Sequence, residues 1–185
     1  MTTPTQLLME EHRAIERMLD VVERAATRFE RGDPVPPRLF SEAATFFASF
    51  ADRCHHAKEE KHLFTRMSER GIPVEGGPLG VMYAEHEQGR AYVRLMRQEG
   101  QRYAEGGQAD ADVLVDASRD YVRLLRQHIQ KEDHVLYPMA DRVLTAQDQQ
   151  QLLEAFERVE REEMGEGEHE RFHAMIEELG LAVAG

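Results

Sequence analysis

Residues His55–Phe64 read H-H-A-K-E-E-K-H-L-F, and residues His128–Tyr137 read H-I-Q-K-E-D-H-V-L-Y. When the two stretches are superposed, their opening histidines align, and Glu59 aligns with Glu132. Each stretch is therefore a His-x-x-x-Glu pair. Residues four apart lie on one face of a helix, about 6 Å apart along its axis, so an imidazole and a carboxylate project together. Two such helices facing each other can enclose two metal ions.

Apolar residues recur at helical spacing through most of the chain, and the breaks fall at glycine and proline residues, which end helices. The predicted helices cover about 5–31, 38–70, 79–105 and 110–140. No stretch alternates as a strand does. Four long helices with short links predict an all-α protein, an up-down-up-down four-helix bundle.

Each of the four predicted helices carries a histidine within its apolar stripe. These are His12, His55, His86 and His128. One histidine on an apolar face is more often a satisfied core residue, but four of them with two glutamates at matched spacing favour a metal site. Buried glutamates are costly unless they are paired or bind metal. Such ligands suit iron, manganese or zinc, and each carboxylate can bridge two ions about 3.5–4 Å apart.

The sequence resembles the hemerythrin-like, or HHE cation-binding, family at four motifs. They are E-E-H-R-A-I at 10–15, H-H-A-K-E-E-K-H-L-F at 55–64, A-E-H-E-Q-G-R at 84–90 and H-I-Q-K-E-D-H-V-L-Y-P at 128–138. The resemblance spans about residues 5–140. It implies a centre of two iron ions between the helices, with bridging glutamates and an oxo or hydroxo bridge. The ligands it implies are His12, His55, Glu59, His86, His128 and Glu132.

One position departs from the family pattern. Oxygen-carrying hemerythrins have a His-x-x-x-His pair on the third helix, whereas Met82 and Arg90 flank His86 at that spacing here. His56 is the substitute that the resemblance suggests. A residue next to a ligand points about 100° away on an ideal helix, so His56 requires a distortion such as a π-bulge. With Met82 in place of an imidazole, we expect a poor reversible oxygen carrier.

Residues 141–185 extend beyond the bundle, which we expect to occupy 1–140. Apolar spacing predicts a helix over about 145–163 and a last short helix after 165–167, both packed on the same domain. The simplest interpretation is a lid across the bundle. The functional alternative is that His169 reaches the metal site or its access channel.

Several polar residues of the doubled motif lie off the apolar stripes. We expect Glu60, His62, Asp133 and His134 to face water. The matched Lys58 and Lys131 are expected to lie on the solvent side or to pair with acidic neighbours. Among the five tyrosines, Tyr121 is the one expected to face the metals.

A ferritin-like arrangement is the competing architecture for two iron ions. It uses Glu-x-x-His pairs, which occur here at 59–62, 166–169 and 170–173. Two of these three pairs lie in the C-terminal segment, and the fourth helix has none. The hemerythrin-like interpretation is therefore favoured.

Composition excludes some classes of function. A net charge of −12 disfavours binding to nucleic acid or to an anionic membrane. The sequence contains neither a run of about 18 apolar residues nor a secretory signal. A single cysteine, Cys54, fits a reducing compartment, and we expect a cytoplasmic protein.

Three functions remain open for the predicted iron pair. The first is a non-haem binding protein for dioxygen, peroxide or nitric oxide, acting in carriage, sensing or detoxification. The second is an enzyme with peroxidase, catalase-like or oxidase activity at the same centre. The third is metal storage or sensing, and the sequence gives no information on protein partners.

Overall fold

A computed structural model describes residues 2–165 and 167–184. Within these ranges the chain folds into eight α-helices and four π-helical segments, without a strand. The elements are α1 (Pro4–Glu30), α2 (Leu39–Phe46), π1 (Phe47–His56), π2 (Glu59–Leu63), α3 (Phe64–Glu69), α4 (Pro78–Ala104), α5 (Ala111–Lys131), π3 (Glu132–Leu136), α6 (Tyr137–Val143), α7 (Ala146–Val159), π4 (Glu160–Met164) and α8 (Glu168–Ala182). The prediction of an all-α protein is confirmed.

Four helical rods surround the core. The first is α1 and the third is α4, whereas the second joins α2, π1, π2 and α3, and the fourth joins α5, π3 and α6. The third rod packs against the second and the fourth, and α1 packs against both of these as well. The rods therefore form a closed ring in which each has two neighbours.

Two apolar clusters fill the space between the rods. One contains the phenylalanines of α2 and π1, such as Phe40 and Phe47, and the other contains Leu8, Phe64 and Phe156. Along each rod, the polar residues of the sequence motifs fall between these clusters. The core is therefore divided by a buried polar layer, in which the candidate metal ligands lie.

The segment after α6 closes over the first rod. Both α7 and α8 contact α1, and Phe172 and Ile176 of α8 enter the larger apolar cluster. At the start of α7, Thr145 and Asp148 form a capping box, which satisfies backbone N–H groups that the first turn leaves unpaired. Arg70 also donates to Asp148, at 2.8 Å.

A membrane span requires a long, strongly apolar helix. None of the helices within residues 2–165 and 167–184 meets that requirement.

Candidate metal centre

The second rod changes its pitch where the candidate ligands lie. From Phe47 to His56 it is π-helical, with i→i+5 hydrogen bonds and a wider turn than the α-helix. The wider turn reduces the angle between successive side chains, so His55 and His56 both point into the core and are 1% and 5% exposed. The distortion that an inward His56 required is therefore present.

The two candidate bridging glutamates also begin π-helical segments. Glu59 starts π2 and Glu132 starts π3. The two copies of the motif therefore share a backbone conformation as well as a sequence pattern. Both carboxylates are 0% exposed. The local conformation thus places the same residue of each motif at the centre of the bundle.

Metal-ligand atoms of seven side chains meet in the buried polar layer. One group consists of His12, His55, Glu59 and Glu132, and the other of His56, Glu59, His86 and His128. Within each group the atoms lie within 4.8 Å of one another. Glu59 belongs to both groups, so its carboxylate is placed to bridge two cations.

Glu132 faces both groups as well. Its Oε2 lies 3.3 Å from His12 Nε2, and its Oε1 lies 3.1 Å from His128 Nε2. Glu59 Oε2 lies 3.5 Å from His86 Nε2 and 3.7 Å from His55 Nε2. Each carboxylate therefore lies between an imidazole of one group and an imidazole of the other.

The expected shortage of one imidazole is not found. His56 stacks on His86, with ring centroids 3.8 Å apart, and joins the second group, which brings the number of imidazoles to five. Met82 packs in an apolar cluster. His56 of the second rod provides the imidazole that the third rod lacks. The argument from Met82 for poor reversible oxygen carriage therefore no longer applies.

Four of the five imidazoles are each held by a carboxylate from a neighbouring rod. The Nδ1–H groups of these histidines donate to Glu11, Glu60, Glu85 and Asp133. The distances are 2.8 Å for His55 to Glu11, 2.6 Å for His86 to Glu60, 2.8 Å for His128 to Glu85 and 2.7 Å for His12 to Asp133. Such bonds fix the tautomer and leave Nε2 as the lone-pair atom.

These four bonds run once around the bundle. The first rod holds a histidine of the second through Glu11, the second holds His86 of the third, the third holds His128 of the fourth, and the fourth holds His12 of the first. Four cations complete the ring, with Lys58 on Glu11, Arg90 on Glu60, Lys131 on Glu85 and Arg13 on Asp133. These four imidazoles are thus oriented before any metal binds.

Two predictions about off-stripe residues were wrong. Asp133 is 6% exposed rather than in water, because it holds His12 and accepts from Arg13. Glu60 is half-buried and holds His86. The sequence contains a signal for both, since each follows a bridging glutamate directly, and Glu11 and Glu85 likewise precede His12 and His86 directly.

The unsatisfied atoms at the centre fit a metal site. Within the described residues, Glu59 Oε2 and both carboxylate oxygens of Glu132 are buried without a hydrogen-bond donor. His86 Nε2 and His128 Nε2 lie 2.9 Å apart, although both Nδ1 atoms already donate to carboxylates. The contact therefore requires either a proton on one of these two nitrogens or a metal bound to both, and buried charges are normally paired or coordinated to metal.

Burial lowers the pKa of His86 to about 3, with the neighbouring His56 adding to the effect, and it lowers the pKa of His56 to about 4, so these two imidazoles are neutral. Burial acts in the same direction on His128, but the charge and hydrogen bond of Glu132 outweigh it and raise the pKa of His128 to about 9. Burial is likewise outweighed at His12, where hydrogen bonds to Asp133 and Glu132 raise the pKa. Burial and the charge of Glu132 raise the pKa of Glu59 well above its usual value. Neutral imidazoles are the form that binds metal, and a metal would displace the proton that Glu59 holds.

Tyr137 is the aromatic residue at the centre, not the expected Tyr121. Its hydroxyl donates to Glu59 Oε1 at 2.7 Å, and its ring stacks on His12 with centroids 5.5 Å apart. Tyr121 instead lines a cavity beside His56. Only its position at the end of the second motif distinguished Tyr137 from the other tyrosines in the sequence.

His169 does not join either group of ligands. It lies with Glu11 and Cys54 behind the first group, and burial raises the pKa of the Cys54 thiol to about 12. His62 and His173, the other two histidines of the ferritin-like pairs, are also outside both groups, and Glu166 lies outside the described residues.

A sequence comparison agrees with this geometry. The profile of the hemerythrin HHE cation binding domain matches residues 3–140. The chain belongs to this family. Uncharacterized proteins of Mycobacterium tuberculosis and Mycobacterium bovis are 25% identical to it over 164 residues, which is 89% of this chain. The chain spans 64% of the length of these relatives, and no solved structure is significantly similar.

Proposed function

We propose that this hemerythrin-like domain holds two iron ions in the buried polar layer. His12 and His55 would bind one ion, His56, His86 and His128 the other, and Glu59 and Glu132 both. The observation that carries the proposal is the pair of buried carboxylates, which face five imidazole nitrogens and have three oxygens without a donor. Imidazole and carboxylate suit iron, and manganese or zinc are the competing occupants.

The proposed function is to bind or react with dioxygen, peroxide or nitric oxide, in sensing, detoxification or carriage. An iron pair supplies the redox chemistry that such ligands require. The residues around it keep His56 and His86 neutral, hold the rings in one orientation and exclude bulk water from the two carboxylates. Tyr137 provides a hydroxyl proton at Glu59 Oε1.

The alternative is an enzyme that uses the same centre as a peroxidase, a catalase-like protein or an oxidase. One observation favours it, namely a cavity of about 130 Å³ that reaches His56. A passage from the surface to one side of the centre gives a reactant larger than a diatomic molecule a place to bind. Turnover of peroxide, rather than one stoichiometric reaction, would distinguish this alternative.

We also propose that the four rods run up, down, up and down, as their closed ring of contacts supports. Residues 141–185 would then be an extension packed on the same domain. The free, buried Cys54 supports a cytoplasmic location.

The test begins with the metal content of protein produced with ample iron. We expect about two iron atoms per chain and the absorption of an oxo-bridged diferric pair. A single zinc per chain, or none of these metals, would refute the proposal. Stopped-flow spectra with dioxygen and with peroxide would then separate a persistent oxygenated form, which indicates carriage, from repeated peroxide turnover, which indicates an enzyme.

A further inference from the structure

The cavity beside His56 has a chemistry of its own. It lies between the second, third and fourth rods, and its lining includes Phe47, His56, Val93, Arg94, Arg97 and Tyr121. His56 forms one wall and is at the same time part of the second ligand group. The cavity therefore connects the solvent with the side of the centre that has three imidazoles.

The cavity combines apolar side chains with one carboxylate, Asp52, which is paired with Arg90, and it is cationic at the exposed end. Phe47, Val93 and Gly89 are buried and line it, whereas Arg94 and Arg97 are exposed. Within the described residues, neither Arg94 nor Arg97 forms an ion pair with a carboxylate, although the protein carries a net charge of −12. Asp52 and Glu60 pair with Arg90 instead. Arg97 donates only a long hydrogen bond, 3.4 Å, to the carbonyl oxygen of Ala44.

The hydroxyl of Tyr121 also lacks a hydrogen-bond partner within the described residues. Tyr121 as a whole is 2% exposed, but its hydroxyl oxygen is not among the fully buried atoms without a partner, so this oxygen keeps some contact with solvent. Buried tyrosines usually place this group at a polar contact. The hydroxyl therefore offers a hydrogen bond to a molecule in the cavity.

We propose that this cavity binds a small organic carboxylate with an apolar body. The carboxylate pairs with Arg94 and Arg97, and the apolar body lies between Phe47, Val93 and Tyr121, with its inner end toward His56. The volume of about 130 Å³ is below the roughly 300 Å³ at which sites for drug-sized ligands begin, so the occupant is smaller than a drug molecule. That the occupant lies next to a metal pair rests on the proposed function.

Benzoate is a suitable probe, with benzamide as its neutral analogue. Calorimetric titration of the metal-free chain should show one benzoate site, with benzamide weaker by about tenfold or more. The double variant Arg94→Glu, Arg97→Glu should weaken benzoate by at least about tenfold. Its control, Arg24→Glu with Arg31→Glu, makes the same change in charge at exposed arginines that line no part of the cavity and should bind normally. Equal weakening by both pairs would overturn the site.

The apolar part is tested at Gly89. A Cβ there would lie 3.4 Å from the Tyr121 ring, so Gly89→Ala fits, whereas the longer side chain of Gly89→Leu occupies the cavity. Benzoate should bind to the alanine variant and be lost from the leucine variant. Circular dichroism and metal content identify a leucine variant that fails to fold, in which case Val93→Phe replaces it. Normal benzoate binding to a folded, filled variant would overturn the proposal.

A separate experiment tests whether bound benzoate lies next to the metals. In manganese-loaded protein, bound benzoate should show paramagnetic broadening of its ring protons, and the broadening should disappear with the Arg94→Glu, Arg97→Glu variant. Benzoate that binds without broadening to protein that contains manganese lies elsewhere, which overturns the proposal. Protein that binds benzoate but takes up neither manganese nor iron would refute the proposed function and leave the carboxylate site standing.

Discussion

The two copies of the motif place their first histidine and their glutamate alike, but six of the ten positions differ, and two of these differences bear on the centre. His56 follows the first histidine, whereas Ile129 follows the second. Tyr137 ends the second copy, whereas Phe64 ends the first. Ile129 packs in the apolar core, and Phe64 lies near the ring of His86. The shared residues therefore form a matched cage, and the unmatched ones give one side a third imidazole and the other a phenol.

The matched lysines differ in their surroundings. Lys58 is 1% exposed and contacts Glu11 and Glu160, whereas the Lys131 side chain is 42% exposed and contacts Glu85. Both hold the carboxylate that orients the histidine of their own copy. The same contact is therefore buried on one side of the bundle and partly open to solvent on the other.

The largest expected effect tests what the two copies share. Glu59→Ala and Glu132→Ala should each lose both metals rather than one, because each carboxylate lies between the two ligand groups. The measurement is iron per chain, with Glu157→Ala on an exposed part of α7 as the control. Retention of one tightly bound ion in either variant would show that the carboxylate serves one side only.

The next effect tests the buried lysine against the exposed one. Lys58→Met leaves Glu11 buried without its ammonium partner, which should cost about 3 kcal/mol of unfolding free energy. Lys131→Met removes a partly exposed pair and should cost less than about 1 kcal/mol. Urea unfolding of the metal-free proteins measures both. Equal losses would show that the difference in burial has no energetic consequence.

Acid unfolding should sharpen the same contrast. Burial raises the pKa of Glu11, but the hydrogen bond from His55 and the charge of Lys58 outweigh it and lower this pKa to about 2. A carboxyl group whose pKa is lowered on folding stabilises the protein above its unfolded pKa and loses that contribution as the pH falls through its folded value. Stability should therefore fall between about pH 5 and pH 2. Lys58→Met should flatten this fall, and Lys131→Met should leave it steep.

The helical spacing was sufficient to predict the all-α fold, but it did not predict which polar residues around the centre are buried. A wheel with a fixed 3.6-residue turn places Asp133 and Glu60 outside, whereas the wider turns of π2 and π3 bring the residue after each glutamate inward. Lys58 was also missed as a buried residue. Its partner Glu11 comes from another rod, and such a tertiary pair leaves no trace in the spacing of one helix.

A smaller effect is expected when the first copy is made like the second. His56→Ile removes one of three imidazoles from the second group, so two ions should still bind at saturating iron, but the second should bind at least roughly tenfold more weakly. Adding Ile129→His should not restore binding, because Ile129 lies in the regular α-helix α5 and not in a π-helical turn. Titration of the metal-free chain with ferrous iron measures both. Restored affinity would mean that the π-helix is not needed to present two adjacent histidines.

The smallest expected effect comes from the phenol that distinguishes the second copy. Tyr137→Phe removes one hydrogen bond to Glu59 Oε1 and leaves the stacked ring, so about two irons should remain. A hydrogen bond between neutral groups contributes about 0.5–1.5 kcal/mol, so the stability of the metal-free protein, in which Glu59 is protonated, should fall by about that amount. The diferric absorption should shift because the bridging carboxylate loses its donor. Phe64→Tyr in the same variant moves a hydroxyl to the matched position of the other copy, near His86. If that hydroxyl restored the original spectrum, the two sides would be equivalent, and the asymmetry between the motif copies would carry no chemical consequence.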